Sequence, residues 1–347
     1  GIWGGVGGIG LVAGPVISGG VIALFAWQAI FFLNLPIVAV AILTTWLRVN
    51  ESRDTTIDRR VDFIGVLLSA SIIVLLVIGI NSGNIFGWTA SQTLGVFLGA
   101  LLLIGLFVVA EVNSSYPIIE LALLRNRAFA VGAVVRFSAG FAFVPVVLMS
   151  TLYLQSFLHK SALEAGMMFL PAGVIVVVST AFWGKIVDKI GPKTPMIFGM
   201  VTAGAGSIFW LLFDATSGYM ALLPSLLLAG FGGSAAFVST TSVAVNSLGV
   251  NKAGVASGII NMVQNVSAAL GGACVSSIFL HSLKSGLVDT IAGVDYQRMQ
   301  AFGPDTGNII QGEAFVNALS SAAIVVMVVL FLGAAAAFFL PKRVSSP

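Results

Sequence analysis

Long apolar runs, each about the length of a bilayer-crossing helix, fill the chain and are separated by short polar segments. A helix crosses the hydrocarbon core with about 20 mostly apolar residues. That ruler marks ten spans, near residues 3–23, 29–47, 63–80, 93–112, 129–157, 165–187, 195–213, 219–245, 254–280 and 314–340. The short alternating patterns of a transmembrane barrel do not occur, so the pattern predicts an all-α integral membrane protein. The first span lacks the basic start and small-residue cleavage site of a signal peptide. Gly1 opens almost directly inside a helix without an initiator Met, and the expectation is a remainder of something longer.

The first span carries the stretch GLVAGPVISGG, residues 10–20. Gly and Pro are the worst helix formers in water, by about 1 and 3 kcal/mol relative to Ala. In lipid the hydrophobic drive between helices is weak, and association relies on small residues that let backbones approach. Gly7, Gly10, Gly14 and Ser18 share one helix face by their spacing. Pro15 has no N–H, so the helix can bend there. These residues read either as a static packing face or as a face on which two bundles close.

Composition strengthens the membrane reading. Charged residues are 8% of the 347 and hydrophobic ones 58%, with a mean hydropathy of +1.06. A soluble domain carries about 25% charged residues, so this chain could not cover its surface in water. The charges also orient it. With residues 48–62 placed on the cytoplasmic side, the inside segments hold Arg48, Arg53, Arg59, Arg60, Arg125, Arg127, Lys185, Lys189, Lys193, Lys252, Lys342 and Arg343. The outside segments hold only Lys160, Lys284 and Arg298. That asymmetry predicts a cytoplasmic C-terminus, and the expected location is the plasma membrane. The net charge of +3 is then a topology signal and gives no support for nucleic-acid binding.

Enzymatic chemistry has little to stand on. Cys274 is the single cysteine, so no disulfide forms within the chain. His159 and His281 fall at separate helix ends, and HExxH, CxxC, GxSxG and the phosphate-loop pattern are all missing. No metal, no cofactor and no catalytic group is expected. Residues 48–62 and 111–128 read as cytoplasmic linkers, the second with a short surface helix over PIIELALL; 281–313 reads as a long outer loop.

A few polar positions inside spans stand out. Arg136 lies about seven residues into its helix, roughly 10 Å deep at 1.5 Å per residue. Such a charge marks a functional site by default, unless the side chain snorkels to the interface. Asn261, Gln264 and Asn265 form an amide stripe at i, i+3 and i+4, suited to a substrate cavity or to hydrogen bonds between helices. Tyr153 and Gln155 sit near an outer helix end, on an exit path or, for Tyr153, in the aromatic belt. Asp188 ends a span where the helix dipole disfavours a carboxylate. It needs Lys185, Lys189, Lys193 or another helix N-terminus, in a latch or in an ordinary charged loop. Gly184 opens this segment, Gly191 permits a turn, and Thr194–Pro195 reads as the next N-cap and first turn.

Four motifs in order resemble the major facilitator superfamily, in its 14-span drug:proton antiporter branch. GPVISGG followed by FAWQAIFFLNLPIV is similar to the family's G-P-x-x-G-G and W-R-W-I-F-x-x-N-x-P, keeping Gly14, Pro15, Gly19, Trp27, Ile30, Phe31, Asn34 and Pro36. It departs at Ser18, Gln28 and Ala29. LYLQSFLHKSALEAGMMFLPAG (152–173) resembles the end of helix nine and the start of ten, with His159 where Gly is usual. GKIVDKIGPK (184–193) is similar to the cytoplasmic loop motif, and GVASGIINMVQNVSAALGGA (254–273) to helix thirteen, with Gln264 and Asn265 in place of Arg and Gln.

The resemblance implies a major facilitator fold with ten transmembrane helices present. Residues 1–48 would hold the last two helices of the N-terminal bundle. Residues 49–128 would hold cytoplasmic linkers and two accessory helices, and 129–347 the six-helix C-terminal bundle with a short tail. It implies a monomeric exporter of small hydrophobic or cationic compounds by alternating access, driven by protons across the lipid bilayer. An uncoupled facilitator or a lipid-handling or structural member of the fold is the alternative. The coupling acid would belong to the four helices before Gly1, since no Asp or Glu lies deep in a span.

Overall fold

A computed structural model of the protein describes residues 2–49, 62–114, 123, 125–248, 253–293 and 305–341. Helices α1 (Ile2–Leu24), α2 (Ala29–Arg48), α3 (Phe63–Phe86) and α4 (Ser91–Asn113) come first. Then follow α5 (Arg127–Leu152), α6 (Ala162–Met168), α7 (Leu170–Ile190), α8 (Lys193–Ile208), α9 (Tyr219–Leu248), α10 (Ala253–Gly293) and α11 (Asp305–Phe338). Among the described residues there is no strand, and nine helical stretches are long and apolar enough to cross a membrane. The tenth predicted span, α1, is helical throughout and contributes a shorter apolar stretch, Ala13–Leu24.

Local chemistry sets the boundaries. Ser161 and Glu164 form a capping box at the start of α6, each side chain bonded to the other's backbone N–H. Asn126 caps α5 through the N–H groups of Ala128 and Phe129, while its amide donates to Ser247 O at 3.0 Å and ties α5 to α9. Gly191 closes α7 at φ +84°, a left-handed backbone that favours glycine. The predicted span 165–187 is divided near Phe169 into α6 and α7. A single π-turn, Tyr153–Phe157, ends α5, and His159 follows it at φ 51°.

Two boundaries differ from expectation. The 281–313 segment is helical over much of its length, because α10 continues to Gly293 and α11 starts at Asp305. Its Gly and Asp content suggests a loop, yet the ordinary helix formers between them, such as Leu283, Lys284 and Leu287, let the backbone ladder run on. Likewise α8 begins at Lys193, with Pro192 in the capping position, two residues before Pro195. Pro192 already sets a helical φ, so Thr194 falls inside the first turn. The expected linker over 50–61 and the surface helix over PIIELALL lie outside the described residues, save Leu123.

Packing centres on α5 and α8 to α11. The main cluster of buried residues joins Val135 and Met149 of α5, Met196 and Met200 of α8, Leu222 of α9, Val275 of α10 and Leu319 of α11. Small residues set the closest crossings. A Cβ at Gly232 of α9 would lie 2.6 Å from Ala203 N of α8. Hydroxyls buried along the helices bond back to their own carbonyls, as Ser150 does to Val146 O at 2.6 Å. The polarity of such a hydroxyl is thus met inside its own helix, without a partner from lipid.

The hairpin of α3 and α4 stands beside this core. Trp88 in the turn stacks with Phe97, ring centres 6.4 Å apart, and both rings lie close over Gly83 and Gly79. The hairpin meets the rest along α10, where Ser277 donates to Asn84 Oδ1 at 2.7 Å. Helix α1 lies against α6 and α7, and α2, which buries no residue, touches α1.

Candidate functional site

Helices α1, α5 and α7 to α11 surround a cavity of about 620 Å³. That volume falls within the range of small-molecule sites, about 300–1,000 Å³. Most of its wall is apolar, with Phe143, Val147, Val176 and Leu330 among the lining residues. The polar side chains on it are Arg136, Thr180, Ser234 and Gln264. An apolar chamber with a few polar groups suits a lipophilic guest.

Arg136 is 1% exposed and does not snorkel. Its Nη1 donates to Phe237 O and to Thr240 Oγ1, both at 3.1 Å, and its Nη2 to Asn261 Oδ1 at 3.5 Å. Cζ lies 3.9 Å from the centre of the Phe237 ring. The helix brings the guanidinium back toward its own N-terminus, as side chains on helices lean, but α9 and α10 intercept it there. Both readings of Arg136 from sequence needed the neighbouring helices to decide between them. Phe237 and Thr240, at i and i+3 on α9, had no sequence signal beyond that spacing.

The amide stripe is divided by the packing. Gln264 lines the cavity, and its amide has no hydrogen-bond partner among the described residues. Asn261 reaches Arg136, while Asn265 is exposed and off the cavity. A Cβ at Gly140 would lie 2.9 Å from Gln264 O, so α5 and α10 cross closely at this level. Tyr153 does not line the cavity. It is fully buried, stacked with Phe157 at 5.1 Å, and donates to Ser217 O at 2.8 Å, pinning the turn between α8 and α9. Gln155 is exposed.

Asp214 organises that turn, accepting from Thr216 N at 2.8 Å, Thr216 Oγ1 at 2.7 Å and Ser217 Oγ at 3.0 Å. The Thr216 bonds, and then those from Ser217, hold its carboxyl below the usual carboxylate range.

Among the described residues, Gly10 and Gly14 on the glycine face of α1 have nothing within 4 Å of where a Cβ would stand. The close approach occurs at Gly19, whose Cβ would lie 2.6 Å from Ala162 O and 2.8 Å from Leu163 Cα. From the other side, a Cβ at Gly166 would lie 2.8 Å from Pro15 C. A helix has several faces, and the one richest in glycine is not the one turned to α6. Pro15 itself lines the cavity, whereas Ser18 bonds back to Gly14 O.

At the opposite end of α7, Asp188 and Lys189 are exposed, and among the described residues Asp188 has no ion pair. Lys193 is engaged elsewhere: its Nζ donates to Phe338 O and Leu340 O, both at 2.7 Å, capping the C-terminus of α11. Gly184 has open space at its Cβ, and Gly191 makes the turn expected of it. Glu111, in the last turn of α4, is buried and distant in sequence from every wall residue.

Comparison with known proteins fits a chamber of this kind. Residues 1–272 match the family described as the Major Facilitator Superfamily. The chain is 28% identical over 322 residues to the tetracenomycin C resistance and export protein of Streptomyces glaucescens, covering 93% of this chain and 59% of that protein. It is 29% identical over 287 residues to the multidrug resistance protein Stp of Mycobacterium tuberculosis, covering 83% and 53%. It is 30% identical over 275 residues to the lincomycin resistance protein of Streptomyces lincolnensis, covering 78% and 56%. The chain thus spans a little over half the length of the curated relatives it matches. With its family matched over most of its length, its helices of membrane-crossing length and its central cavity, this chain belongs to the major facilitator superfamily, a family of membrane transporters and not of enzymes.

Proposed function

We propose that the protein exports small hydrophobic compounds across the plasma membrane by alternating access, coupled to inward proton flow. The observation that carries this reading is the cavity of about 620 Å³, apolar for most of its wall and bounded by Pro15 of α1 on one side and by α5 and α7 to α11 on the other. A chamber between α1 and the larger helix cluster opens to one side or the other as the two move. The tight crossing at Gly19 and Gly166 closes its Ser161 end, which the positive-inside pattern makes the outer one. The names of the drug-resistance relatives support export as the direction.

In this reading residues 1–48 belong to an N-terminal bundle, 49–128 carry linkers and two accessory helices, and 129–347 form the C-terminal bundle with a cytoplasmic tail. The monomer in the lipid bilayer is the working unit, and protons are the co-substrate. Among the described residues the cavity wall has no carboxylate, so the proton site lies elsewhere in the protein.

Reconstituted full-length protein tests this. Proteoliposomes with an imposed pH gradient should move Nile Red, a neutral lipophilic dye, against its gradient, and a protonophore should abolish the movement. Movement indifferent to the protonophore would leave a facilitator, and no movement above protein-free liposomes would overturn export altogether.

A further inference from the structure

Among the described residues the wall of the cavity carries one charge, and it is positive: Arg136 is the only ionisable one lining the chamber. A guanidinium has five N–H donors and no acceptor. Here both Nη1 donors are used, one Nη2 donor reaches Asn261 at 3.5 Å, and Nε is buried with no partner. Among the described residues no carboxylate pairs with it. A buried cation of this kind is costly unless something neutralises it, and a guest in the cavity is placed to do so.

We propose that Arg136 is an anion subsite, and that the preferred cargo is a lipophilic molecule bearing an ionised acidic oxygen: a carboxylate, enolate or phenolate. This rests on the reading of the cavity as the cargo site. The planar guanidinium fork matches a carboxylate better than any other side chain does. The Phe237 ring, 3.9 Å from Cζ, holds the plane of the fork, and the Thr240 and Phe237 acceptors hold its far end. Gln264, also on the wall, supplies a second neutral donor. The apolar body of the guest lies against Phe143 and Val176. The same charge repels organic cations, so the chamber selects against the cationic compounds that the family resemblance implies.

Three probes with one ring system separate the possibilities: 2-anthracenecarboxylate, its methyl ester and 2-(aminomethyl)anthracene. Their binding to the full-length protein in nanodiscs of zwitterionic lipid is read by fluorescence anisotropy. The carboxylate should bind about 10- to 100-fold more tightly than the ester, the value of one charge-assisted contact, and the amine most weakly. Arg136→Gln should lower the carboxylate-to-ester ratio to about one, and Arg136→Lys should keep part of the preference. Equal binding of the three by the unaltered protein, which needs no variant to fold, would overturn the proposal. So would a preference that survives in Arg136→Gln. Carboxylate-selective binding in a protein that exports none of the three from cells would support the subsite and overturn the export reading alone.

Discussion

Replacing Gly19 with Ala adds one methyl group at the tightest contact of α1. Its Cβ would stand 2.6 Å from Ala162 O, 2.8 Å from Leu163 Cα and 2.9 Å from Ala162 C. All three are backbone atoms, which cannot swing aside as a side chain would. Ordinary contact begins at 3.4 Å, so α1 must retreat by up to 0.8 Å, the difference between 3.4 and 2.6. A gap of that size forfeits a quarter to a half of each dispersion contact it opens. The retreat also loosens Gly166 against Pro15. Overpacking of this kind costs about 1–3 kcal/mol, which at about 1.4 kcal/mol per tenfold lowers the population of the closed crossing about 5- to 150-fold. Spin labels at exposed Phe25 and Gln155, with Cys274 replaced by Ser, report the separation in the full-length protein. Gly19→Ala should lengthen that distance and slow efflux. A Gly19→Ala protein with the native distance and native efflux would refute the reasoning.

Four further outcomes are expected. His159 holds φ 51°, a left-handed backbone that costs a non-glycine residue about 1–2 kcal/mol; His159→Gly should therefore raise the thermal midpoint by the equivalent of about 1 kcal/mol once the added chain entropy is subtracted, and a lowered midpoint would show the strain is absent. Lys193→Met removes two charge-assisted bonds to the end of α11 and should cost about 1–2 kcal/mol in thermal unfolding; Lys193→Arg should recover most of it, and an unchanged Met variant would deny the clamp any weight. Gln264→Ala should change which compounds are exported without loss of protein from the membrane, and Asn265→Ala should not; the reverse pattern would place the cavity on the wrong face of α10. Asp214 has a depressed folded pKa, so the turn it holds gains stability above the unfolded value of 3.8 and loses it as pH falls through the lower folded value; rate-corrected amide exchange at Thr216 and Ser217 should quicken across that acid window, and Asp214→Asn should remove the dependence.

The helices were legible because each apolar run needs only its own residues to satisfy its backbone in lipid. The runs at 29–47 and 93–112 end within a few residues of α2 and α4. Caps were legible where one residue forces the geometry, as Gly191 does at φ +84°. Boundaries failed where two local signals competed: Pro192 outweighed Thr194, and helix-forming residues after His281 outweighed the glycines and aspartates.

The candidate site was legible only as a set of residue types. Arg136 and Gln264 are conspicuous as polar groups in apolar spans, and the structure puts both on the cavity wall. Asn265 and Tyr153 are equally conspicuous, and neither lines it. Sequence spacing gives the relative angle of residues on one helix but not the rotation of that helix about its axis. That rotation is fixed by which crossings fit: Gly19 on Ala162, Gly140 on Gln264, Gly232 on Ala203. By itself the sequence determined the membrane environment, the helices and the candidate charges, since these follow from the transfer of each segment into lipid. The faces that meet, the contacts that bury Arg136 and the chamber left among the helices were decided only by the tertiary structure, because van der Waals fit between helices depends on atoms far apart in the chain.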